Sequence, residues 1–145
     1  MSALREIFIT LKATLAGDSQ LTAILAPSIL GGGPGVFNDV PANQPYPHIE
    51  IGTAPTRESN WDHFGGFLGE GHDAKVPVHI WSQYQGDDEA LRIHDRVMAL
   101  LHNQPLAIGA FSTVICERDD TRGLKEMVNK VETRHFIDVF RFRVT

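Results

Sequence analysis

Cysteine is nearly absent from this sequence, since Cys116 is the only one among 145 residues. A single thiol cannot form an internal disulfide, and it excludes zinc sites built from several cysteines. Cys116 ends the run 113–116, in which Val114 and Ile115 are apolar. This pattern predicts a buried thiol that packs as a small hydrophobic side chain.

Clustered positive charge is also missing. Thirteen Lys and Arg residues stand against eighteen Asp and Glu residues, which gives a net charge of -5, and the basic residues are scattered singly. Surfaces that bind nucleic acid or anionic membranes need clustered Lys and Arg. We therefore expect no specific DNA binding and no membrane partner.

Long hydrophobic runs do not occur. No apolar stretch approaches the roughly 20 residues of a membrane-spanning helix, and residues 1–6 lack the basic start and apolar run of a signal peptide. We expect a protein that is made and assembled in the cytoplasm. Its 42% hydrophobic and 21% charged residues are typical of a folded chain, and its length predicts one domain over residues 1–145.

Two main helices are predicted by apolar residues at helical spacing. The first carries an apolar seam and ends at Gly17, after which Asp18 caps a short helical turn that Pro27 stops. The second begins in the acidic segment 86–89 and ends near residue 102. The two seams comprise Leu4, Ile7, Phe8, Leu11 and Leu15 in the first helix, and Ala90, Ile93, Val97, Leu100 and Leu101 in the second.

Four strands are predicted at 48–52, 76–81, 111–117 and 134–144, where apolar residues alternate or run together. Pro77 lacks an N–H, so its strand should be at an edge or bulged there. The order of elements predicts an α+β fold: a largely antiparallel four-stranded sheet with the two main helices packed on one face. The expected core comprises Leu11, Ile51, Val78, Ile80, Trp81, Val97, Leu101, Phe140 and Phe142.

Two connections are candidates for partner contacts. Residues 53–75 are too long for a structureless loop and predict a hairpin arm, and exposed aromatic residues on such an arm indicate a partner surface. The polar segment from residue 118 predicts a second variable connection that reaches residue 132. The candidate contact residues are Trp61, Phe64, Phe67 and Leu68 in the arm, and Arg118, Asp119, Asp120 and Arg122 in the connection.

No catalytic site or cofactor site is predicted. The seven histidines are scattered, and His94 and His102 lie two helical turns apart, whereas a metal-binding pair lies one turn apart. Ser82 and Ser112 have no evident base, and the glycine-rich segment 31–35 lacks the Lys-Ser/Thr ending of a phosphate loop. We expect a structural protein that binds no metal and is not an enzyme.

The order of several short motifs resembles the tail-completion or tail-terminator proteins of long-tailed phages and gene transfer agents. A short extended piece at 36–41 leads through Tyr46-Pro47 into the strand 48–52. The strand 78–82 ends in Trp-Ser shortly before a helix, and 134–144 forms a closing strand. These motifs concern packing rather than catalysis, and the glycine-rich segments 31–35 and 65–71 depart from the family.

The resemblance implies a virion protein that forms a ring, typically a hexamer, at the head-proximal end of the tail tube. Such a ring stops polymerisation of the tail tube protein and joins the tail to the head connector, while DNA passes through its lumen without specific binding. The residues alone leave two alternatives open. These are a small oligomeric adaptor or ligand-binding α+β domain, and a metal-dependent hydrolase that uses the histidines.

Overall fold

The computed structural model describes residues 3–52, 56–62, 70–112 and 114–145, with side chains described outside 57–62 and 70. The predicted α+β class, with the main helices on one face of a largely antiparallel sheet, is confirmed. The helices are α1 (Ala3–Ala16), α2 (Ser19–Ile24) and α3 (Asp88–Leu101). The strands are β1 (Val36–Phe37), β2 (His48–Ile51), β3 (Arg57–Asp62), β4 (Glu70–Ser82), β5 (Val114–Val128) and β6 (Val131–Val144).

The sheet has six strands where the sequence predicts four. Its order is β1-β2-β4-β6-β5, and β3 also pairs with β4. The additional strands are β1, two residues long and parallel to β2, and β3, which forms the arm with β4. Because β6 follows β4 along one side from His72 to Ser82, β2 and β3 share its other side.

The core lies between the helices and one face of the sheet, which we call the covered face. The amphipathic helices bury one residue per turn against it, including Ile7 and Leu11 of α1 and Val97 of α3. Alternate residues of β4 and β6 form its floor. The side chains that are both expected in the core and buried in the structure are Leu11, Ile51, Val78, Ile80, Val97, Leu101, Phe140 and Phe142.

Trp81 does not belong to this core. It follows Ile80 in β4, and successive strand residues point to opposite faces, so Trp81 lies on the other face of the sheet and is half-buried. Cys116 is buried, as predicted, and burial raises the pKa of its thiol to about 12. A thiol in that state packs and does not react.

The predicted connection over 118–132 is wrong. Strand β5 continues to Val128 and returns into β6 through the two-residue turn Asn129–Lys130. Both turn residues have positive φ, 50° and 67°, as tight hairpin turns require. The polar residues of this segment, which indicated a loop, belong instead to the edge strand β5, which is exposed along much of its length.

Pro77 lies in the central strand β4 and not in an edge strand. The ladder beside it is interrupted, because β2 ends at Ile51 and β3 begins at Arg57. The N–H of Gly52 donates to the Pro77 carbonyl at 2.9 Å, so this is the side on which a residue-77 N–H would point. The interruption therefore accommodates the missing donor.

Two polar contacts fix α3 in position. The fully buried Asp138 of β6 accepts from His94 Nδ1 at 2.8 Å and from Thr121 Oγ1 at 2.8 Å. The hydrogen bond to Asp138 raises the pKa of His94 against the opposing effect of burial. At the other side, Arg96 donates two hydrogen bonds of 2.8 Å to Asp18, which also caps α2 and whose pKa is lowered mainly by Arg96.

Candidate assembly surfaces

The face of the sheet opposite the helices, which we call the open face, carries the side chains of alternate residues of β4 and β6. Among the described residues no helix packs against it. Its charged, apolar and aromatic side chains are grouped rather than scattered. Three groups of side chains occupy it in order along the strands: a charged patch near the arm, a central apolar strip and an aromatic cluster.

The charged patch consists of three ion pairs: two join neighbouring strands, and the third reaches from β4 across β6 to β5. Arg141 donates to Asp73 at 3.0 Å, Arg143 donates to Glu117 at 2.7 Å, and Lys75 donates to Asp119 at 3.1 Å. Arg141 lowers the pKa of Asp73, and Asp73 in turn raises the pKa of Arg141. The three cations and three carboxylates balance, so the patch is polar without net charge.

The four predicted contact residues of the 118–132 segment do not form one site. A β-bulge between Arg118 and Asp120 makes Asp119 an extra residue of β5 and puts its carboxylate in the charged patch. Asp120 and Arg122 pair at 3.4 Å beside the apolar strip of Ile137 and Val139. Arg118, in contrast, lies opposite the covered-face residue Phe140 in the β5–β6 ladder. Its backbone N–H donates to His102 Nδ1 at 3.0 Å.

The aromatic cluster joins Trp81, His79, His135 and Glu126. The Trp81 and His135 rings stack with centroids 3.7 Å apart and planes 11° apart. Since a carbonyl only accepts, His79 Nε2 donates to Gly52 O, and a hydrogen bond of 2.8 Å joins His79 Nδ1 to His135 Nε2. His135 Nδ1 faces Glu126 Oε1 at 3.3 Å, while burial lowers the pKa of His135. Sequence reasoning put Trp81 in the core and missed this cluster, although the period-two pattern of β4 places Trp81 opposite Ile80.

The arm extends beyond the rest of the sheet. Strand β6 ends at Val144, which pairs with His72, so Gly71 and Glu70 of β4 pair only with β3 in the described residues. Trp61 of β3 pairs with Gly71 and therefore lies in this distal part. Phe64, Phe67 and Leu68 fall outside the described residues.

A groove that sequence reasoning missed runs along α1 on the β1–β2 side of the molecule. Its volume is about 400 Å³. Gly52 shapes it, because φ is +93° and a Cβ there would come within 3.0 Å of Phe8 and of Asn38. Asn38 Nδ2 donates to the Ile51 carbonyl at 2.8 Å. The groove is lined by Arg5, Phe8, Ile9, Lys12, Asn38 and Ile51.

The described part of the chain offers little support for a metal site or a catalytic serine. No group of three or more His, Cys, Asp or Glu side chains there is arranged to hold a metal ion. The buried Ser82 hydroxyl donates to Glu89 at 2.7 Å and accepts from the Tyr84 N–H, so it connects β4 to α3. No described helix combines the length and apolar character needed to cross a membrane.

Comparisons with known proteins agree with a role in assembly. The sequence profile of the family described as "Tail completion protein gp17" matches residues 10–145. A chain in a solved structure described as "Virion of native gene transfer agent (GTA) particle" has a similar fold, with a TM-score of 0.75. The alignment covers 99% of this chain and 97% of that chain at 19% identity. No match was found among curated protein sequences.

Proposed function

The chain belongs to the family of the tail completion protein gp17, structural proteins of the virion tail, and we propose that it acts as the terminator of the tail tube. In this proposal about six copies, each one domain, close into a ring at the head-proximal end of the tube. The ring stops addition of the tail tube protein and offers its other side to the head connector. The role is structural, without catalysis.

The position of two unlike surfaces on opposite sides of the sheet supports a ring. A ring forms when one surface of a subunit binds a different surface of the next. The arm continues from the β2 side of β4, whereas β5 is the edge strand on the other side and pairs only with β6 in the described residues. This long edge exposes the apolar side chains of Ile115, Leu124 and Met127, and such an edge favours a neighbouring subunit.

The charge distribution is compatible with DNA that passes without being held. Attraction to phosphate requires Lys and Arg side chains that are not neutralised by carboxylates. In the charged patch Lys75, Arg141 and Arg143 each have a carboxylate partner, and the whole chain carries a net charge of -5. If this face lines the lumen, a transferred duplex meets no net positive surface there.

Deletion of residues 64–69 tests the proposal. These residues belong to the segment that connects β3, which ends at Asp62, to β4, which begins at Glu70. We expect a folded subunit with a near-normal far-UV circular dichroism spectrum. In particle-forming cells that lack the intact chain, we expect it to leave tail tubes uncapped, which electron microscopy would show as overlong tails of irregular length and heads without tails. Tails of normal length joined to heads would contradict the role of the arm in assembly.

A further inference from the structure

We propose that the α1 groove is the receptor for the arm of a neighbouring subunit, an inference that rests on the proposed ring. The occupant is the segment 58–70 of a second copy of this chain. Its aromatic residues would fill the apolar floor of the groove, and its carboxylates would lie against the cations at the rim. Arm and groove then form one pair of unlike surfaces between neighbouring subunits, in addition to the contact that the exposed β5 edge favours.

The groove has an apolar floor that the described residues leave uncovered. Helix α1 buries Ile7 and Leu11 completely on the covered face, yet Ile9 on another side of the same helix is 49% exposed. Phe8 and Ile51 line the groove beside Ile9. A concave apolar surface bounded by charged residues is typical of a site that another protein segment covers.

The rim of the groove is positively charged. Lys12 is exposed and, among the described residues, has no ion-pair partner. Arg5, two turns earlier in α1, also lines the groove and pairs with Glu6 at 3.4 Å, so Lys12 is the main cation of the rim. The segment 58–70 has the opposite character. It contains three carboxylates and no Lys or Arg, together with four large apolar side chains: Glu58, Asp62 and Glu70, and Trp61, Phe64, Phe67 and Leu68.

The groove and the distal arm of one subunit are far apart. Ile51 in the groove pairs with Val78 of β4. Trp61 pairs with Gly71, which precedes Val78 by seven residues in the same strand. At roughly 3.3 Å per residue the two backbone positions are about 23 Å apart. The arm that fills the groove therefore belongs to another copy.

The second exposed apolar segment of the chain fits the groove less well. Ile29 and Leu30 are 50% and 77% exposed in the loop that follows α2. However, residues 25–37 carry no charged side chain that would pair with Lys12. Charge complementarity therefore favours the arm.

Substitutions in the groove test the inference against a matched control. Ile9→Asp puts a carboxylate on the groove floor, and Leu91→Asp does the same at a position on α3 with similar exposure, 42%. Sedimentation velocity over a concentration series should show that Ile9→Asp raises the midpoint concentration of assembly about tenfold or more, the effect of one lost apolar anchor. Leu91→Asp should change it little. Equal midpoints for both variants would overturn the inference.

Charge reversal and cross-linking make the test specific to the arm. Lys12→Glu should weaken assembly, and adding Asp62→Lys with Glu70→Lys to the same chain should restore it. Chains with Ile9→Cys mixed with chains with Phe64→Cys should give a disulfide-linked heterodimer, which neither chain gives alone; Cys116 is buried and does not interfere.

The outcomes separate this inference from the proposed function. Rings that form normally without rescue and without the cross-link would overturn the groove as receptor and leave the terminator role intact. A chain that stays monomeric at every concentration, and is monomeric in purified particles, would contradict the ring and the groove together.

Discussion

The two faces of the sheet are built from the same strands but satisfy their side chains in different ways. On the covered face, Val78, Phe140 and Phe142 are fully buried under the helices, and the buried carboxylate of Asp138 accepts from two donors. On the open face, Trp81, Ile137 and Val139 are half-buried, charges pair across strands, and Trp81 stacks on His135, which is buried like His79.

This difference distinguishes the residues that stabilise the folded subunit from the surfaces that remain for contacts in the assembly. The covered face removes a large apolar area from water within one chain, so substitutions there are expected to act on the free energy of unfolding. The open face carries polar and aromatic side chains outside that core, so substitutions there are expected to change the free energy of unfolding less. Four experiments with substituted chains test this separation, in decreasing order of expected effect.

Phe140→Ala should have the largest effect. Phe140 is fully buried between sheet and helices, and deleting such a ring costs about 3–5 kcal/mol of unfolding free energy. Its open-face neighbour Ile137 is half-buried, so Ile137→Ala should cost only about 1 kcal/mol. Urea unfolding of both variants measures the difference. Similar losses for the two would mean that the open face is also packed within the subunit.

Asp138→Ala should cost about 3 kcal/mol, because it leaves His94 and Thr121 without their buried acceptor. Thr121→Val, which removes one donor, should cost about 1 kcal/mol. An unfolding free energy for Asp138→Ala within error of the parent would contradict the idea that this contact fixes α3 on the sheet.

The same contact predicts a pH dependence. The pKa of His94 is raised above its ordinary value of 6.5 by Asp138. Its contribution is therefore fully present below the unfolded pKa and is lost as pH rises through the folded pKa. His48 and His135 have lowered pKa values and act in the opposite direction, so the comparison must be with His94→Gln. The stability difference between parent and His94→Gln should shrink as pH rises.

Lys75→Ala should have the smallest effect. The Lys75–Asp119 pair lies on the open face with about a third of each side chain exposed, 36% and 35%, and such pairs contribute about 0–1 kcal/mol. A loss of several kcal/mol in urea unfolding would show that the charged patch stabilises the subunit.

Sequence patterns predicted the covered face well because burial imposes a period on the chain. The seams of α1 and α3 repeat at helical spacing, and Val76, Val78 and Ile80 alternate in β4. These periodic patterns predicted the two main helices, the face of β4 that is buried, and a set of core residues of which all except Trp81 are buried. The same alternation would have placed Trp81 correctly, but its size and apolar character suggested the core.

The exposed features of the molecule were harder to predict from the sequence, because exposed side chains impose no such period on the chain. Strand β5 is exposed along much of its length, so its polar residues suggested a loop, and the bulge at Asp119 breaks the alternation further. The α1 groove depends on how α1 packs beside Gly52 and Asn38, which are distant in sequence. The arm was predicted as a hairpin from its length and glycines.

The central claim is that this chain stops growth of the tail tube, and tail length measures it directly. Particles from cells that lack the chain entirely should be imaged by electron microscopy, with cells that supply it from a second copy of the gene as the control. We expect overlong tubes of variable length without heads, and uniform tails when the chain is restored. Tails of normal, uniform length in its absence would contradict the claim, whatever the oligomeric state of the purified protein.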